Sequence, residues 1–268
     1  MPIVSVIVAF YNRIDYLRLV LAGFENQTFN DFEIVIADDG SDEKVSAEVE
    51  KLHSEFNLRL KHCRHEKRGF RKNRVLNLAV QAASGEYLIF IDGDCVPHPE
   101  FVAEHYYNSE KNSCLTGRRV NLSEKYTALL TPEKIRGSFI QKKFALLLKD
   151  GIFGGSYDVE KGFYLRNKSL RNFFNKKKRG ILGCNFSLHK KLVLDINGFD
   201  ERYEAPSIGE DSDIQYRLEL LGVKIIPLNQ IAVQYHLHHK LQPRPQVNLD
   251  LFEKVKAEGK AFTDYGIK

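Results

Sequence analysis

The first ninety-four residues alternate between two hydrophobic periods, and this alternation restricts the fold more than any other feature of the chain. Ile3 to Phe10, Phe32 to Ala37, Leu58 to Cys63 and Glu86 to Ile91 are short runs rich in Val, Ile and Leu. The first and last are almost unbroken by polar residues, as in strands covered on both faces. Between them, Arg13 to Phe24 places Leu17, Val20, Leu21 and Phe24 at helical spacing. Glu43 to Phe56 and Lys72 to Ala83 also read as helices, the latter stopped by Ser84-Gly85. This order predicts an α/β fold, a mostly parallel sheet with helices on both faces. Such sheets bind ligands beyond the carboxyl ends of their strands. Tyr11-Asn12, Asp38 to Ser41 and Asp92 to Asp94 stand at those ends.

The second half is less regular. Pro132 to Leu148 reads as a helix and Asp150 to Lys178 as a long loop or lid. Cys184 to Leu188 reads as a short strand. Glu210 to Leu221 reads as a helix with Ile214, Leu218 and Leu221 on one side. Val223 to Pro227 and Ile231 to Tyr235 read as strands, and Asn248 to Gly259 as a short amphipathic helix. With no internal repeat or low-complexity linker, the two halves are expected to be fused without a flexible tether.

At 268 residues with 43% apolar and 28% charged side chains, the chain can bury a core, and extensive disorder is excluded. Wholly apolar runs such as Tyr87 to Ile91 are too short to cross a bilayer. Met-Pro-Ile-Val at the start carries no basic flank or cleavage site, so no secretory signal is expected. The four cysteines form no Cys-x-x-Cys pair, which excludes a zinc ribbon or dithiol redox motif. Reduced thiols in a cytoplasmic protein are the expectation. The net charge of +5 is unevenly spread: Lys161 to Gly180 holds eight Lys or Arg and no acid. That favours an anionic partner, whether phosphate, acidic glycan or the inner face of a membrane met peripherally.

Asp92-Gly93-Asp94 offers two carboxylates around a tight turn, hard oxygen ligands suited to Mg²⁺ or Mn²⁺ bridging protein to a diphosphate. Alone, such a triplet is more often a solvated turn; its place after the most apolar strand points to a site. Asp38-Asp39-Gly40-Ser41 can hold a ribose or base edge, or serve as a turn with Ser41 or Asp42 capping the next helix. Arg68, Arg71, Lys72 and Arg74 cluster at a helix start, a pattern suited to a diphosphate or to plain solvation. A carboxylate in Glu210-Asp211 at another helix start would stay ionised, as a general base must. His236 and His238 would share one side of a continuing strand, where an imidazole could complete a metal site.

Taken in order, these features resemble the family 2 inverting glycosyltransferases with a GT-A, Rossmann-like fold. The matching stretches are Val4 to Asn12, Ile34 to Ser41 and Ala83 to Asp94. Gly183 to Ser187, Gly198 to Glu201 and Gly209 to Asp211 look like the C-terminal half of galactosyltransferases and chondroitin-polymerase-like enzymes. The resemblance implies a nucleotide-sugar-binding half at 1–121, an acceptor and catalytic-base half at 122–245 and a helical tail at 246–268. It implies nucleotide contacts at Ala9, Tyr11, Asp39, Arg68, Arg71, Asn77, Asp92 and Gly93. It implies metal contacts at Asp94, Asp92 and His236, with His238 as the alternative histidine, and a catalytic role for Asp211 beside Glu210. The implied reaction moves a sugar from a nucleotide-diphosphate donor, UDP-linked by expectation, to a saccharide or lipid-linked saccharide hydroxyl with inversion. One departure is visible: the galactosyltransferases often carry Trp-Gly before Glu-Asp, whereas this chain has no Trp and shows Ser207-Ile208-Gly209.

Two other classes compete. A nucleotidylyltransferase on a similar sheet would need a Gly-rich basic loop after the first strand, which Tyr11-Asn12-Arg13-Ile14 is not. A non-catalytic nucleotide or glycan binder would not need Asp92, Asp94 and Asp211 together. No Gly-x-Gly-x-x-Gly follows the first strand, so a dehydrogenase-type site is disfavoured. Phe and Tyr are interleaved with the basic segment, but no nucleic-acid motif accompanies them, and no nucleic-acid partner is expected.

Overall fold

A computed structural model describes residues 1–167, 169–171, 175, 180–206, 210–240 and 246–268, with Glu210 described by its backbone alone. The alternating first half folds as β1 (Val4–Phe10), α1 (Ile14–Phe24), β2 (Phe32–Asp38), α2 (Glu43–Glu55), β3 (Leu60–Arg64), α3 (Lys72–Ala82) and β4 (Tyr87–Asp92). These four strands are parallel, in the order β3-β2-β1-β4. Side chains alternate across the sheet as a two-residue period requires. Val4, Val6, Val8, Ile34, Ile36, Ile89 and Ile91 pack with Leu17, Val20, Leu21 and Leu52 of α1 and α2. Ile7, Val35, Leu88 and Phe90 pack on the opposite face with Val75, Ala79 and Val80 of α3. Full burial of such side chains contributes about 1.5–3 kcal/mol each. The unbroken apolar runs are the sequence consequence of this two-sided cover.

Residues 95–121, on which the sequence pattern is silent, form β5 (Cys95–Pro97), α4 (Phe101–Tyr107), β6 (Ser113–Thr116) and β7 (Arg118–Asn121). Pro132 to Leu148 is not one helix. After α5 (Glu124–Thr127) come α6 (Pro132–Arg136), α7 (Phe139–Lys142) and α8 (Phe144–Phe153). Gly137 ends α6, and Ser138 at φ 56° is left-handed, which no continuous helix tolerates. The expected loop at 150–178 therefore begins inside α8 and contains a 3₁₀ turn at Val159–Gly162; several of its later residues lie outside those described.

Further on, β8 (Asn185–His189), α9 (Lys190–Asp195), α10 (Glu210–Leu220), β9 (Lys224–Pro227), β10 (Val233–His236) and α11 (Gln246–Glu258) complete the chain. Ile214 and Leu218 of α10 are buried as expected, but Leu221 is exposed, because the helix ends at Leu220 and Gly222 turns the chain at φ 73°. Buried Arg217 in the same helix pairs with Asp213 and donates to the Ile196 and Gly198 carbonyls, holding the 196–198 turn.

Two pairings place the second half against the first. β8 runs antiparallel to β4, so its first residue, Asn185, lies opposite Ile91 at the carboxyl end of β4. Phe90 and Phe186 stack across this pair at 4.5 Å, worth about 0.5–1.5 kcal/mol beyond their burial. β6 and β9 extend the same seven-stranded sheet beyond β8. β10 lies between β5 and β7 in a three-stranded sheet, with His236 opposite Cys95. The residues around Gly183 and those around His236 thus reach the edge where β1, β2 and β4 end.

Candidate active site

Asp94 stands at the centre of this edge. It follows β4 by one turn residue, and Leu237 N–H donates to its carbonyl at 2.8 Å, tying the end of β10 to the turn. The Asp94 Oδ2 atom is 3.0 Å from His239 Nε2 and 3.6 Å from His236 Nε2, and the two imidazole nitrogens are 3.0 Å apart. Bonds of about 2.1 Å at right angles place two donor atoms about 3 Å apart, so this triangle fits one face of an octahedral divalent site. One carboxylate with two imidazoles is a borderline donor set that suits Mn²⁺ better than Mg²⁺. Burial pushes the Asp94 carboxyl up, but the two imidazoles outweigh it and hold it well below the usual range. Asp94 in turn raises His239 above the ordinary histidine value, against the opposing effect of burial.

His239 is the residue that sequence reasoning missed. Strand alternation pairs His236 with His238, but β10 ends at His236 and the chain leaves extended geometry. His238 faces elsewhere: it lines an open cleft of about 430 Å³ with Arg13, Tyr16, Leu19 and Thr127. Its backbone is held from both sides, by the Tyr16 hydroxyl donating to its carbonyl at 2.5 Å and by its own N–H donating to Thr127 Oγ1 at 2.9 Å.

Asp92 is not drawn into the triangle; its Oδ1 pairs with Lys72 Nζ at 3.0 Å. Gly93 N–H donates to the Ala9 carbonyl at 2.7 Å, and a Cβ on Gly93 would stand 3.1 Å from that oxygen, so the turn sits directly on β1. Half-buried Arg119 on β7 donates to Cys184 Sγ at 3.4 Å and lies close enough to Asp92 and Asp94 to act on both electrostatically. The adjacent pair Arg118-Arg119 was the only sequence sign of it. All four cysteines are free thiols.

Asp39 is buried, and its carboxylate is already engaged: Arg71 N–H donates to both oxygens at 3.0 and 3.1 Å, and His65 Nε2 stands 3.0 Å from Oδ1. Burial nevertheless pushes the Asp39 carboxyl above its ordinary value. The helix N-terminus expected to receive an anion therefore receives a carboxylate of the chain itself. The Arg71 guanidinium pairs with Glu204 at 3.0 Å and Arg68 with Glu66 at 3.3 Å. Neighbouring Asp38 is fully buried, accepts from Ser41 N–H and meets His62 Nε2 at 3.1 Å, so it shapes the turn. Tyr11 is exposed at the mouth of this corner.

Asn77 is a correction. It is buried in the middle of α3, donates to the Phe199 carbonyl and Glu201, and accepts from Phe199 N–H. Its whole amide is used in joining α3 to the 199–201 turn, and none is left for a nucleotide.

Asp211 lies in the first turn of α10, half-buried, and accepts from Gly183 N–H at 3.4 Å and Ser212 N–H at 2.8 Å. Gly183 precedes Cys184, so this carboxylate reaches the same edge as Asp94. The Glu210 side chain and Ser207-Ile208-Gly209 lie outside the described residues. So do Lys176 to Arg179 of the basic segment. The described part of that segment is tied down: the Tyr164 hydroxyl and the Arg171 guanidinium both bond Glu104, the latter at 2.8 Å, and Leu165 N–H donates to the Gln230 carbonyl. That part is no free lid.

Residues 5–191 match the family model described as Glycosyl transferase family 2. The chain belongs to glycosyl transferase family 2. Residues 168–240 of this family 2 enzyme also match the model for the N-terminal domain of galactosyltransferase. It is 28% identical over 228 residues to chondroitin synthase of Escherichia coli, covering 80% of this chain and 32% of that protein. It is 28% identical over 180 residues to the GalNAc(5)-diNAcBac-PP-undecaprenol beta-1,3-glucosyltransferase of Campylobacter jejuni, covering 65% and 56%. The family 2 chain thus spans about a third of the first of these relatives and just over half of the second. Among solved structures it resembles S. aureus TarS 1-349 in complex with UDP, at 19% identity and TM-score 0.61, over 97% of this chain and 65% of that one. It also resembles GalNAc-T7 with UDP, GalNAc and Mn2+, at 15% identity and TM-score 0.65, over 95% and 48%. The fold is that of the GT-A glycosyltransferases, and the family match supports a glycosyltransferase over the nucleotidylyltransferase and pure-binder readings.

Proposed function

We propose that this family 2 glycosyltransferase moves a sugar from a UDP-linked donor to a hydroxyl of a saccharide or lipid-linked saccharide, with inversion and with help from a divalent cation. The observation that carries the proposal is the Asp94–His236–His239 triangle at the carboxyl edge of the sheet. Mn2+ in GalNAc-T7 and in the mannosyltransferase PcManGT, both of this fold, supports the choice of metal. UDP and UDP-GlcNAc in TarS support the donor class. The undecaprenol-linked acceptor named for the Campylobacter relative supports the acceptor class.

In this reading Asp94, His236 and His239 hold the cation, which would neutralise charge gathering on the departing diphosphate. Arg119 adds fixed positive charge behind Asp92 and Asp94, and Lys72 orients Asp92 by pairing with it. Asp39 fixes the start of α3 beneath the nucleoside, and Tyr11, Ala9 and Gly93 form the floor. Asp211, with Glu210 beside it, takes the proton from the acceptor hydroxyl as that oxygen attacks. Attack and departure on opposite faces invert the anomeric centre, unlike a retaining enzyme whose carboxylate attacks first.

A panel of UDP- and GDP-sugars, assayed for donor hydrolysis with Mn²⁺ and with EDTA, tests this reading. Hydrolysis of a UDP-sugar that EDTA abolishes is the expected result. Hydrolysis undiminished by EDTA would refute the metal role.

A further inference from the structure

The helix α8 presents an apolar face that no part of the described chain covers. Leu148, Ile152, Ala145, Lys149, Phe153 and Leu146 follow one another around it within about 160° at 100° per residue. Ile152 is 73% exposed and Phe153 80% exposed. The opposite side carries Leu147, fully buried, and Phe144, whose ring meets that of Phe163 edge-on at 4.6 Å. Phe163 is itself 46% exposed and extends the patch beyond the helix. Soluble surfaces scatter such side chains singly; gathered on one face they mark a contact.

Lysines without a carboxylate partner border the face. Lys142 and Lys143 precede α8, Lys149 lies within the face, and none pairs with a carboxylate among the described residues. Asp150, the helix's acid, is turned to the Ser156 hydroxyl. The chain then passes Asp158, which pairs with Lys161, and exposed Glu160 before Lys161 to Gly180, where eight Lys or Arg occur without an acid.

We propose that the α8 face docks on an anionic lipid surface. Leucine, isoleucine and phenylalanine side chains enter the boundary between headgroups and acyl chains, while lysine ammoniums on flexible stems reach the lipid phosphates. A two-fold pairing of this face with a second copy would set its lysines against like charge. Among the described residues no helix is long and apolar enough to cross a membrane, so the contact is peripheral. The 3₁₀ turn at Val159–Gly162 packs between α8 and the β7–β10 pair that carries His236, so docking would hold the metal triangle at a fixed height over the lipid. The inference stands on α8 and its charges, and it does not depend on the donor or acceptor proposed above.

The chain has no Trp, so Phe153→Trp introduces a single Trp reporter at the most exposed position of the face. The variant is mixed with vesicles of phosphatidylcholine alone, or of phosphatidylcholine with phosphatidylglycerol, at low and high salt. The expected result is a blue shift on the anionic vesicles, weakened by salt and nearly absent on the neutral ones. Adding Ile152→Ser should weaken vesicle binding at least ~tenfold, with a nearly unchanged melting temperature because that side chain is 73% exposed. No shift on anionic vesicles at low salt would overturn the proposal. A blue shift in buffer alone that grows with protein concentration would overturn it in favour of self-association.

Discussion

His239 Nε2 lies 3.0 Å from Asp94 Oδ2 although neither residue belongs to a strand and more than half of the chain separates them. The relationship exists because β10 pairs antiparallel to β5, which brings His236 opposite Cys95, and because the chain folds back immediately afterwards. His238, one residue away, takes no part. His239→Ala should therefore weaken Mn²⁺ binding by at least ~10–100-fold, the range lost even when only a ligand's supporting partner is removed. His238→Ala should leave it within a few-fold. Mn²⁺ titration of both variants checks the assignment, and equal losses would contradict it.

The loop bearing His239 is set by Tyr16 and Thr127 through the His238 backbone. Tyr16→Phe keeps the ring that Arg13 covers at 3.7 Å and removes only the hydroxyl. Mn²⁺ affinity should fall about tenfold while the melting temperature moves little, as expected for a residue that orients a ligand. Unchanged metal affinity would reduce Tyr16 to a wall of its cleft.

Protons and metal compete for His239. Its pKa is raised by Asp94, so in the metal-free protein the charged imidazole contributes stability that is fully present below the ordinary histidine range. That contribution is lost as pH rises through the raised value. A metal needs the neutral ring, so Mn²⁺ binding should strengthen on going from acid through neutral to mildly alkaline pH. Asp94→Asn should shift this dependence toward lower pH and weaken binding throughout. Calorimetric titration at several pH values reads both effects; a pH-independent affinity in the wild type would sink the explanation.

Asp211→Asn preserves shape and the bond from Gly183 but cannot take a proton. Sugar transfer should drop by ~10²–10⁴-fold, the usual contribution of a general base. Binding of UDP and Mn²⁺ should be unchanged. A variant that loses donor affinity instead would place Asp211 on the wrong substrate.

Asn77→Ala removes three hydrogen bonds between α3 and the 199–201 turn. A stability loss of about 1–3 kcal/mol is expected from buried groups left unpaired. UDP affinity measured well below the melting temperature should not change. A selective loss of UDP binding would return Asn77 to the nucleotide site.

Asn77 and His239 both show where sequence reading stops. Strands β1, β2 and β4 were legible because cover on both faces forces unbroken apolar runs, and the acidic turns after them follow from the parallel order. β5, β6 and β7 were not, since each has only three or four residues and β7 begins with two arginines. Arg119 stands half-buried beside a thiol and carboxylates supplied by other parts of the chain, a setting no local pattern encodes. Extrapolating β10 by its two-residue period set His238 beside His236 as the alternative ligand and passed over His239, and the period failed where the strand stopped. The apparent anion site at Arg71 failed for a related reason. Asp39, more than thirty residues away in sequence, fills the helix N-terminus first.

The central claim is that Asp94, His236 and His239 together hold one divalent cation. Electron paramagnetic resonance of Mn²⁺ titrated into the full chain in the presence of UDP tests it most directly, because bound and free ion give separable signals. One bound ion per chain, lost in Asp94→Ala and weakened in His236→Ala and His239→Ala, is the predicted result. A bound signal that survives Asp94→Ala unchanged, or no bound signal in the wild type, would contradict it.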